Sequence, residues 1–135
     1  MNVDANGSCL CESVRFSLAG EVTDFYLCHC KRCQKESGSA FTSSMVVSLE
    51  SVEWISGIEN VKRFELPEAQ NFCLDFCVHC GSVVPYLSRN REFYIVPVGT
   101  LDDRFDLRPL KQLFWADRAP WYNDALQCPR YDGYK

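Results

Sequence analysis

Cys28-His29-Cys30-Lys31-Arg32-Cys33 is the stretch of this sequence from which both the fold and the chemistry can be argued. Its thiols follow the spacing Cys-x-Cys-x-x-Cys. Zinc binds thiolates at about 2.3 Å in a tetrahedron, and one short segment can fill three of the four corners. The spacing therefore favours an open three-ligand zinc site, the arrangement used in catalysis. A remote residue in the fourth corner would instead make the site structural.

Two further cysteine pairs accompany this triplet. They are Cys9-Leu10-Cys11 and Cys77-Val78-His79-Cys80-Gly81, and the second has the form of a zinc knuckle. Residues i and i+2 of an extended segment point the same way, so we expect Cys9 and Cys11 to face one metal. The seven clustered thiols divide most simply into four and three. The two pairs then make a closed structural site, whereas joining the triplet to the knuckle would give five ligands for four corners.

The remaining cysteines and the histidines have simpler interpretations. We interpret Cys73 as a core residue, because a buried free cysteine behaves as a small hydrophobe, and Cys128 as an incidental residue of the tail. His29 and His79 lie between thiols, so we expect their side chains to face away from the metal or to support its ligands. A redox dithiol at the Cys77/Cys80 pair is the alternative to zinc, but it leaves the other clustered thiols unexplained.

The composition predicts one globular domain spanning residues 1–135, with 47% hydrophobic residues. The N-terminus shows no secretory signal and no apolar run long enough to span a membrane, so we expect a cytoplasmic protein that does not enter membranes. Nine cysteines, an odd number and mostly clustered, favour metal ligation in a reducing compartment over disulfides. The net charge of −4 argues against nucleic-acid binding, which normally shows a basic excess.

Hydrophobic alternation predicts a mainly β fold with few short helical turns. Strands are expected at 14–18, 22–27, 41–49, 52–55, 61–66, 72–76, 83–87, 93–98 and 110–115, with a break at Gly20. A brief helical turn is expected over 34–38, ending at Gly38. The tail from Ala119 reads as irregular.

Several ordered motifs resemble the glutathione-dependent formaldehyde-activating enzyme family, which also includes centromere protein V. The motifs are Gly7-Ser8-Cys9-Leu10-Cys11 with Val14-Arg15-Phe16, the Cys28–Cys33 segment with Ser37-Gly38-Ser39-Ala40-Phe41, then Phe76-Cys77-Val78-His79-Cys80-Gly81, Val98-Gly99-Thr100-Leu101-Asp102-Asp103 and Ala119-Pro120-Trp121-Tyr122. The resemblance implies an Mss4-like β fold with two zinc ions. The structural zinc would be held by Cys9, Cys11, Cys77 and Cys80, and the catalytic zinc by Cys28, Cys30 and Cys33. Glu12 departs from the glycine usual in this family.

The same resemblance implies a zinc-dependent carbon–sulfur lyase that forms or cleaves S-hydroxymethylglutathione from glutathione and formaldehyde. Glutathione has two carboxylates, which need cations or backbone N–H groups. The candidate substrate contacts are Lys31, Arg32, Lys35, Ser37, Gly38, Ser39, Arg118 and Trp121. Each of these can equally be a surface charge, a core aromatic or a turn residue. Two alternatives stay open: a thiol-handling enzyme with another small substrate, and a non-enzymatic zinc-stabilised protein-interaction module.

Overall fold

The computed structural model describes residues 1–134, and within that range it contains ten β-strands, two short α-helices and a few 3₁₀ turns. The strands are β1 (Asn2–Ser8), β2 (Arg15–Cys28), β3 (Thr42–Val47), β4 (Val52–Ser56), β5 (Val61–Glu65), β6 (Cys73–Cys77), β7 (Val83–Val84), β8 (Tyr86–Leu87), β9 (Tyr94–Pro97) and β10 (Lys111–Leu113). The helices are α1 (Lys31–Ser37) and α2 (Tyr122–Ala125). The predicted mainly β fold is confirmed. Lys135 lies outside the described residues.

The larger sheet is built around the long strand β2. It pairs antiparallel with β1, β3 and β4 and parallel with β10, and β9 and β8 extend the sheet beyond β3. The core-facing residues of β2 include Phe16, Leu18, Val22 and Phe25, with an irregularity between Val22 and Asp24 that shifts the alternation by one residue. The strand ends at Cys28, so the core fixes the position of the thiol triplet.

The predicted break at Gly20 is wrong. Gly20 pairs with Val3 of β1, and strand β2 continues through it without interruption. A glycine weakens a strand, but the continuous pairing of this part of β2 with β1, from Asn2↔Glu21 to Ser8↔Arg15, offsets that weakness. Strand β1 itself was not expected from the sequence, because it is mostly polar and buries only Val3, Ala5 and Gly7.

The smaller sheet consists of β5, β6 and β7, in that order. The sequence predicted one strand over 83–87, but Pro85 divides it into β7 and β8, because proline cannot donate a backbone hydrogen bond. Strand β7 pairs with β6 in the smaller sheet, and β8 pairs with β9 in the larger one. The chain therefore passes from one sheet to the other at Pro85.

The other predicted strands are present with modest changes of bounds, as β3, β4, β5, β6, β9 and β10. The predicted helical turn is α1. It ends as expected at Gly38, whose amide donates to the Gln34 carbonyl (2.8 Å) in a left-handed conformation with φ of 65°. It begins earlier than predicted, because the Cys30 sulfur caps it by accepting from the Cys33 amide (3.4 Å). The tail holds the short helix α2 where an irregular segment was expected. No helix in residues 1–134 is long and apolar enough to cross a lipid bilayer.

Candidate metal centres and active-site cavity

The first thiol cluster consists of Cys9, Cys11, Cys77 and Cys80, whose sulfur atoms all lie within 4.8 Å of one another. The Cys9–Cys11 sulfur distance is 3.6 Å and the Cys11–Cys77 distance is 3.8 Å. Sulfurs at 2.3 Å from a central zinc, in a tetrahedron, are themselves about 3.8 Å apart. The cluster therefore fits a four-coordinate zinc ion.

The local conformation of the first pair differs from the extended segment that the sequence predicted. Cys9, Leu10 and Cys11 form a turn in which the Glu12 amide donates to the Cys9 carbonyl (3.0 Å). The turn is needed because β1 and β2 are antiparallel neighbours, so the chain must reverse between them. Glu12 adopts the left-handed conformation, with φ of 65°, which a side chain disfavours.

Two serines that the sequence reading missed contact these thiols. The Ser13 hydroxyl lies 3.2 Å from the Cys11 sulfur and 3.4 Å from Cys77, and the Ser82 hydroxyl lies 3.4 Å from Cys80. The bond with Ser13 lowers the pKa of Cys77, and the bond with Ser82 lowers the pKa of Cys80 to about 5. Thiols with low pKa values form the thiolates that metals bind.

A repeated pattern in the sequence was the available signal for these serines. Cys11-Glu12-Ser13 and Cys80-Gly81-Ser82 both read Cys-x-Ser. The middle residue of each is left-handed, with φ of 65° for Glu12 and 76° for Gly81. Each Cys-x-Ser segment thus turns the chain so that the serine hydroxyl can form a hydrogen bond with a thiol. Hydrogen bonds of this kind orient metal ligands.

The second thiol cluster consists of Cys28, Cys30 and Cys33, with sulfurs within 4.8 Å of one another. Cys28 ends β2, Cys30 caps α1, and Cys33 lies in the first turn of that helix. Hydrogen bonding from Cys33 lowers the pKa of Cys28 to about 6, so a thiolate forms there at neutral pH. The three sulfurs fit three corners of a zinc tetrahedron. Within residues 1–134 no fourth histidine, cysteine or carboxylate joins the cluster.

Neither histidine belongs to a thiol cluster, and the two have different surroundings. His29 is fully buried, and its Nε2 is 2.8 Å from the Gln112 side-chain oxygen. Its ring packs against the rings of Phe41, Trp115 and Tyr122. His29 thus anchors β10 and the C-terminal segment beside the triplet. His79 is exposed.

A cavity of about 890 Å³ adjoins the triplet, whose three cysteines form part of its wall. A cavity of this size can enclose a small organic molecule. Much of the remaining wall is aromatic, from Tyr26, Phe41, Phe72, Tyr86, Phe93 and Phe114. The charged residues of the wall are Arg32, Glu36 and Arg89.

Arg89 holds one side of this cavity in place. Its Nη1 donates to the carbonyl oxygens of Leu66 (2.9 Å) and Ala69 (2.6 Å), both in the loop between β5 and β6. Gln70, Asn71 and Phe72 of that loop line the cavity. Sequence reasoning missed Arg89, because nothing near it in the chain indicates which distant carbonyls it contacts.

The structure brings some of the candidate substrate contacts to the cavity and leaves others away from it. Arg32 and Ser37 line the wall; Lys31, Lys35, Gly38, Ser39, Arg118 and Trp121 do not. Ser37 donates to the Cys33 carbonyl (2.9 Å) and accepts from the Ser39 amide (3.1 Å). The Arg118 guanidinium stacks 4.4 Å from the Trp115 ring centroid, and Trp121 is 55% exposed.

The two unassigned cysteines also differ in their surroundings. Cys73 is buried in β6 and lines the cavity, and Arg63 Nη2 donates to its sulfur (3.3 Å). Burial raises the pKa of this thiol. Cys128 is exposed near the C-terminus.

Comparison with known proteins supports the family and the fold. The family model described as glutathione-dependent formaldehyde-activating enzyme matches residues 4–117. A crystal structure of a Rhodobacter sphaeroides protein, a structural genomics target, superposes with a TM-score of 0.61 at 22% identity, covering 79% of this chain and 98% of that one. The likeness to that structure shows the fold alone. No curated protein matches the chain.

Proposed function

Because the chain belongs to the glutathione-dependent formaldehyde-activating enzyme family, we propose that it is a carbon–sulfur lyase. It would join a small thiol to an aldehyde and cleave the same adduct, with glutathione and formaldehyde as the first pair to test. The observation that carries this proposal is the three-thiol cluster in the wall of a cavity large enough for both reactants.

The two thiol clusters have different roles in this proposal. Cys9, Cys11, Cys77 and Cys80 hold a structural zinc, because four thiolates fill every corner. Cys28, Cys30 and Cys33 hold a catalytic zinc, which would act as a Lewis acid and lower the pKa of a substrate thiol. All 135 residues act as one domain, working in a reducing compartment such as the cytoplasm. Nucleic acid is not a partner.

The residues of the cavity position the reactants. Its aromatic side chains exclude water, and orientation of two reactants is a large source of catalysis. Arg32 offers a cation for a glutathione carboxylate. Arg89 is already committed to the loop carbonyls, so Arg32 is the better substrate contact. Lys31, Lys35, Gly38, Ser39, Arg118 and Trp121 lie outside the cavity wall and are weaker candidates.

The test is the rate of adduct exchange, since the adduct also forms without a catalyst. Carbon-13 formaldehyde and glutathione are mixed at equilibrium, and NMR exchange spectroscopy measures how fast the label moves between free aldehyde and adduct. The purified protein should raise that rate above buffer, and Cys30→Ser should not. Cys128→Ser, which changes an exposed thiol outside both clusters, is the matched control and should behave as wild type. A wild-type rate equal to buffer with glutathione and with smaller thiols would overturn the lyase.

A further inference from the structure

Glu36 and Tyr86 are polar side chains of the cavity wall that have no hydrogen-bond or ion-pair partner among residues 1–134. The first is Glu36, which follows Cys33 by three positions in α1 and is therefore its neighbour on the helix surface. It is half-buried and lines the cavity. Within the described chain, no hydrogen bond or ion pair reaches its carboxylate, so the carboxylate is free to contact a molecule in the cavity.

The second is Tyr86, in the short strand β8 beyond Pro85. Its ring lines the same cavity, and its hydroxyl has no hydrogen-bond partner in the part of the chain that the structure describes. Burial raises the pKa of this hydroxyl, and the charges of its neighbours raise it further. These neighbours include Tyr26, Glu36, Cys73 and Cys33. A phenol hydroxyl donor and a carboxylate acceptor thus share one region of the cavity, close to the triplet.

We propose that Tyr86 and Glu36 form a subsite for the oxygen of a thiol–aldehyde adduct, with Glu36 carrying the proton between sulfur and oxygen. This inference rests on the proposed lyase function. An adduct hydroxyl has one donor and two acceptor positions. Tyr86 can donate to this oxygen while Glu36 accepts its proton, so the pair matches an alcohol better than a carboxylate.

The proton balance of the reaction requires only one carrier. As the adduct forms, the thiol gives its proton to the Glu36 carboxylate and its sulfur lone pair makes the new bond to the aldehyde carbon. The carbonyl π pair moves to oxygen, where Tyr86 stabilises the negative charge by hydrogen bonding. Glu36 then gives the proton to that oxygen. The carboxylate is restored, and cleavage follows the same path in reverse.

The surroundings of Glu36 suit this role. Burial raises its pKa to about 7, and a proton carrier works best with a pKa near the operating pH. The titratable and charged groups that line the cavity with it are Tyr26, Cys28, Cys30, Arg32, Cys33, Cys73, Tyr86 and Arg89. A carboxylate at this position also disfavours an anionic aldehyde, so the subsite selects neutral aldehydes.

The first experiment compares Glu36→Gln and Tyr86→Phe with two matched controls at exposed positions, Glu59→Gln and Tyr131→Phe. Each cavity variant should lower the protein-dependent exchange rate at least about tenfold, a conservative value for acid–base catalysis. The controls should match wild type. Zinc content and melting temperature should be unchanged in all four, which separates a loss of chemistry from a loss of the metal.

Two further readouts distinguish the subsite from a merely structural role. Glyoxylate replaces formaldehyde as an anionic aldehyde, and Glu36→Gln should raise the glyoxylate-to-formaldehyde rate ratio. Calorimetry compares S-(2-hydroxyethyl)glutathione with S-ethylglutathione, which differ by one hydroxyl. Wild type should prefer the hydroxyl compound by about five- to tenfold, the value of one hydrogen bond. Tyr86→Phe should lose this preference while still binding S-ethylglutathione, which also shows that its cavity is intact.

The outcomes separate this inference from the function beneath it. If wild type accelerates exchange and both cavity variants keep the rate and the hydroxyl preference, the subsite is wrong and the lyase stands. If wild type accelerates no thiol and aldehyde pair, both fail. Should Tyr86→Phe not fold, Glu36→Gln still decides the question, because its isosteric change lies on a short helix at the cavity surface.

Discussion

The sulfur atoms of Cys11 and Cys77 lie 3.8 Å apart, although the residues are separated by 66 positions in the chain. Bringing two residues so distant in the chain into contact closes a long loop, which costs conformational entropy that the unfolded chain retains. By contrast, Cys28, Cys30 and Cys33 are neighbours in sequence and close almost no loop. The two clusters should therefore contribute to stability very differently.

Replacing one cysteine in each cluster tests this difference. Cys77→Ser should destabilise the fold by several kcal/mol or leave it insoluble, because metal binding at a long-range site is folding free energy. Cys30→Ser should leave a folded protein with about one metal equivalent fewer. Thermal unfolding with elemental analysis measures both effects. A folded Cys77→Ser beside an unfolded Cys30→Ser would reverse the assignment of the two sites.

Metal removal should proceed in two stages. Freshly purified protein should contain about one to two zinc equivalents. A chelator should first remove metal from the three-thiol cluster, which opens to the cavity, and later from the closed four-thiol cluster. Unfolding should accompany the second stage only. A colorimetric chelator with circular dichroism follows both signals, and stoichiometric disulfides in protein purified without oxidation would contradict the prediction.

Asp75 should make stability depend on pH. Its Oδ1 lies 3.6 Å from Arg63 Nη1 but has no hydrogen-bond partner within residues 1–134, and burial raises its pKa from 3.8 to about 6. The folded-state pKa exceeds the unfolded one, so the stabilisation that the protonated group contributes is complete below about pH 4 and is lost as pH rises through 6. Asp75→Asn should therefore be more stable than wild type at pH 7, and this advantage should disappear at pH 4.

Urea unfolding at the two pH values measures this effect, with the exposed Asp106→Asn as control. A variant that is less stable than wild type at both pH values would show that the ion pair with Arg63 outweighs the cost of burying the carboxylate.

Replacing Gly57 and Gly38 by alanine distinguishes the free-energy cost of a left-handed backbone from the cost of a steric overlap. Both are left-handed, with φ of 80° and 65°. A Cβ on Gly38 would meet nothing within 4 Å, whereas one on Gly57 would overlap the Ser13 carbonyl beside the four-thiol cluster. Gly38→Ala should cost about 1 kcal/mol for the conformation alone. Gly57→Ala should cost roughly 1–3 kcal/mol more for the overlap. Equal losses of unfolding free energy in chemical denaturation would refute a role for the contact with Ser13.

The features that sequence reasoning found were those with a local signal. Cysteine spacing gave the grouping of thiols, alternation gave most strands, and Gly38 marked the end of α1. The features it missed depend on distant partners. Gly20 lies inside a strand only because β1 pairs with it. The chain passes from one sheet to the other at Pro85 because β7 before it pairs with β6 and β8 after it pairs with β9.

The cavity was the least predictable feature. Its walls come from α1, the β5–β6 loop, β8 and the segment around Phe114, which are far apart in sequence. Most of the substrate residues proposed from the sequence were neighbours of the triplet in the chain, and of all of them only Arg32 and Ser37 line the cavity. Glu36 belongs to no sequence motif, so sequence reasoning did not identify it as a candidate site residue. Only its position in the cavity wall identifies it as one.

The long-range pairing of the fold also bears on how the chain is made on the ribosome. Cys9 and Cys11 are synthesised early, but their cluster cannot close until Cys80 has emerged, and β10 joins β2 only after Leu113. For most of translation the nascent chain therefore carries reduced thiols with no finished site to protect them. Folds dominated by such non-local contacts form slowly and pass through aggregation-prone intermediates that expose hydrophobic surface. The yield of this protein in a cell should consequently depend on zinc supply while it is being synthesised, more than on zinc supplied afterwards.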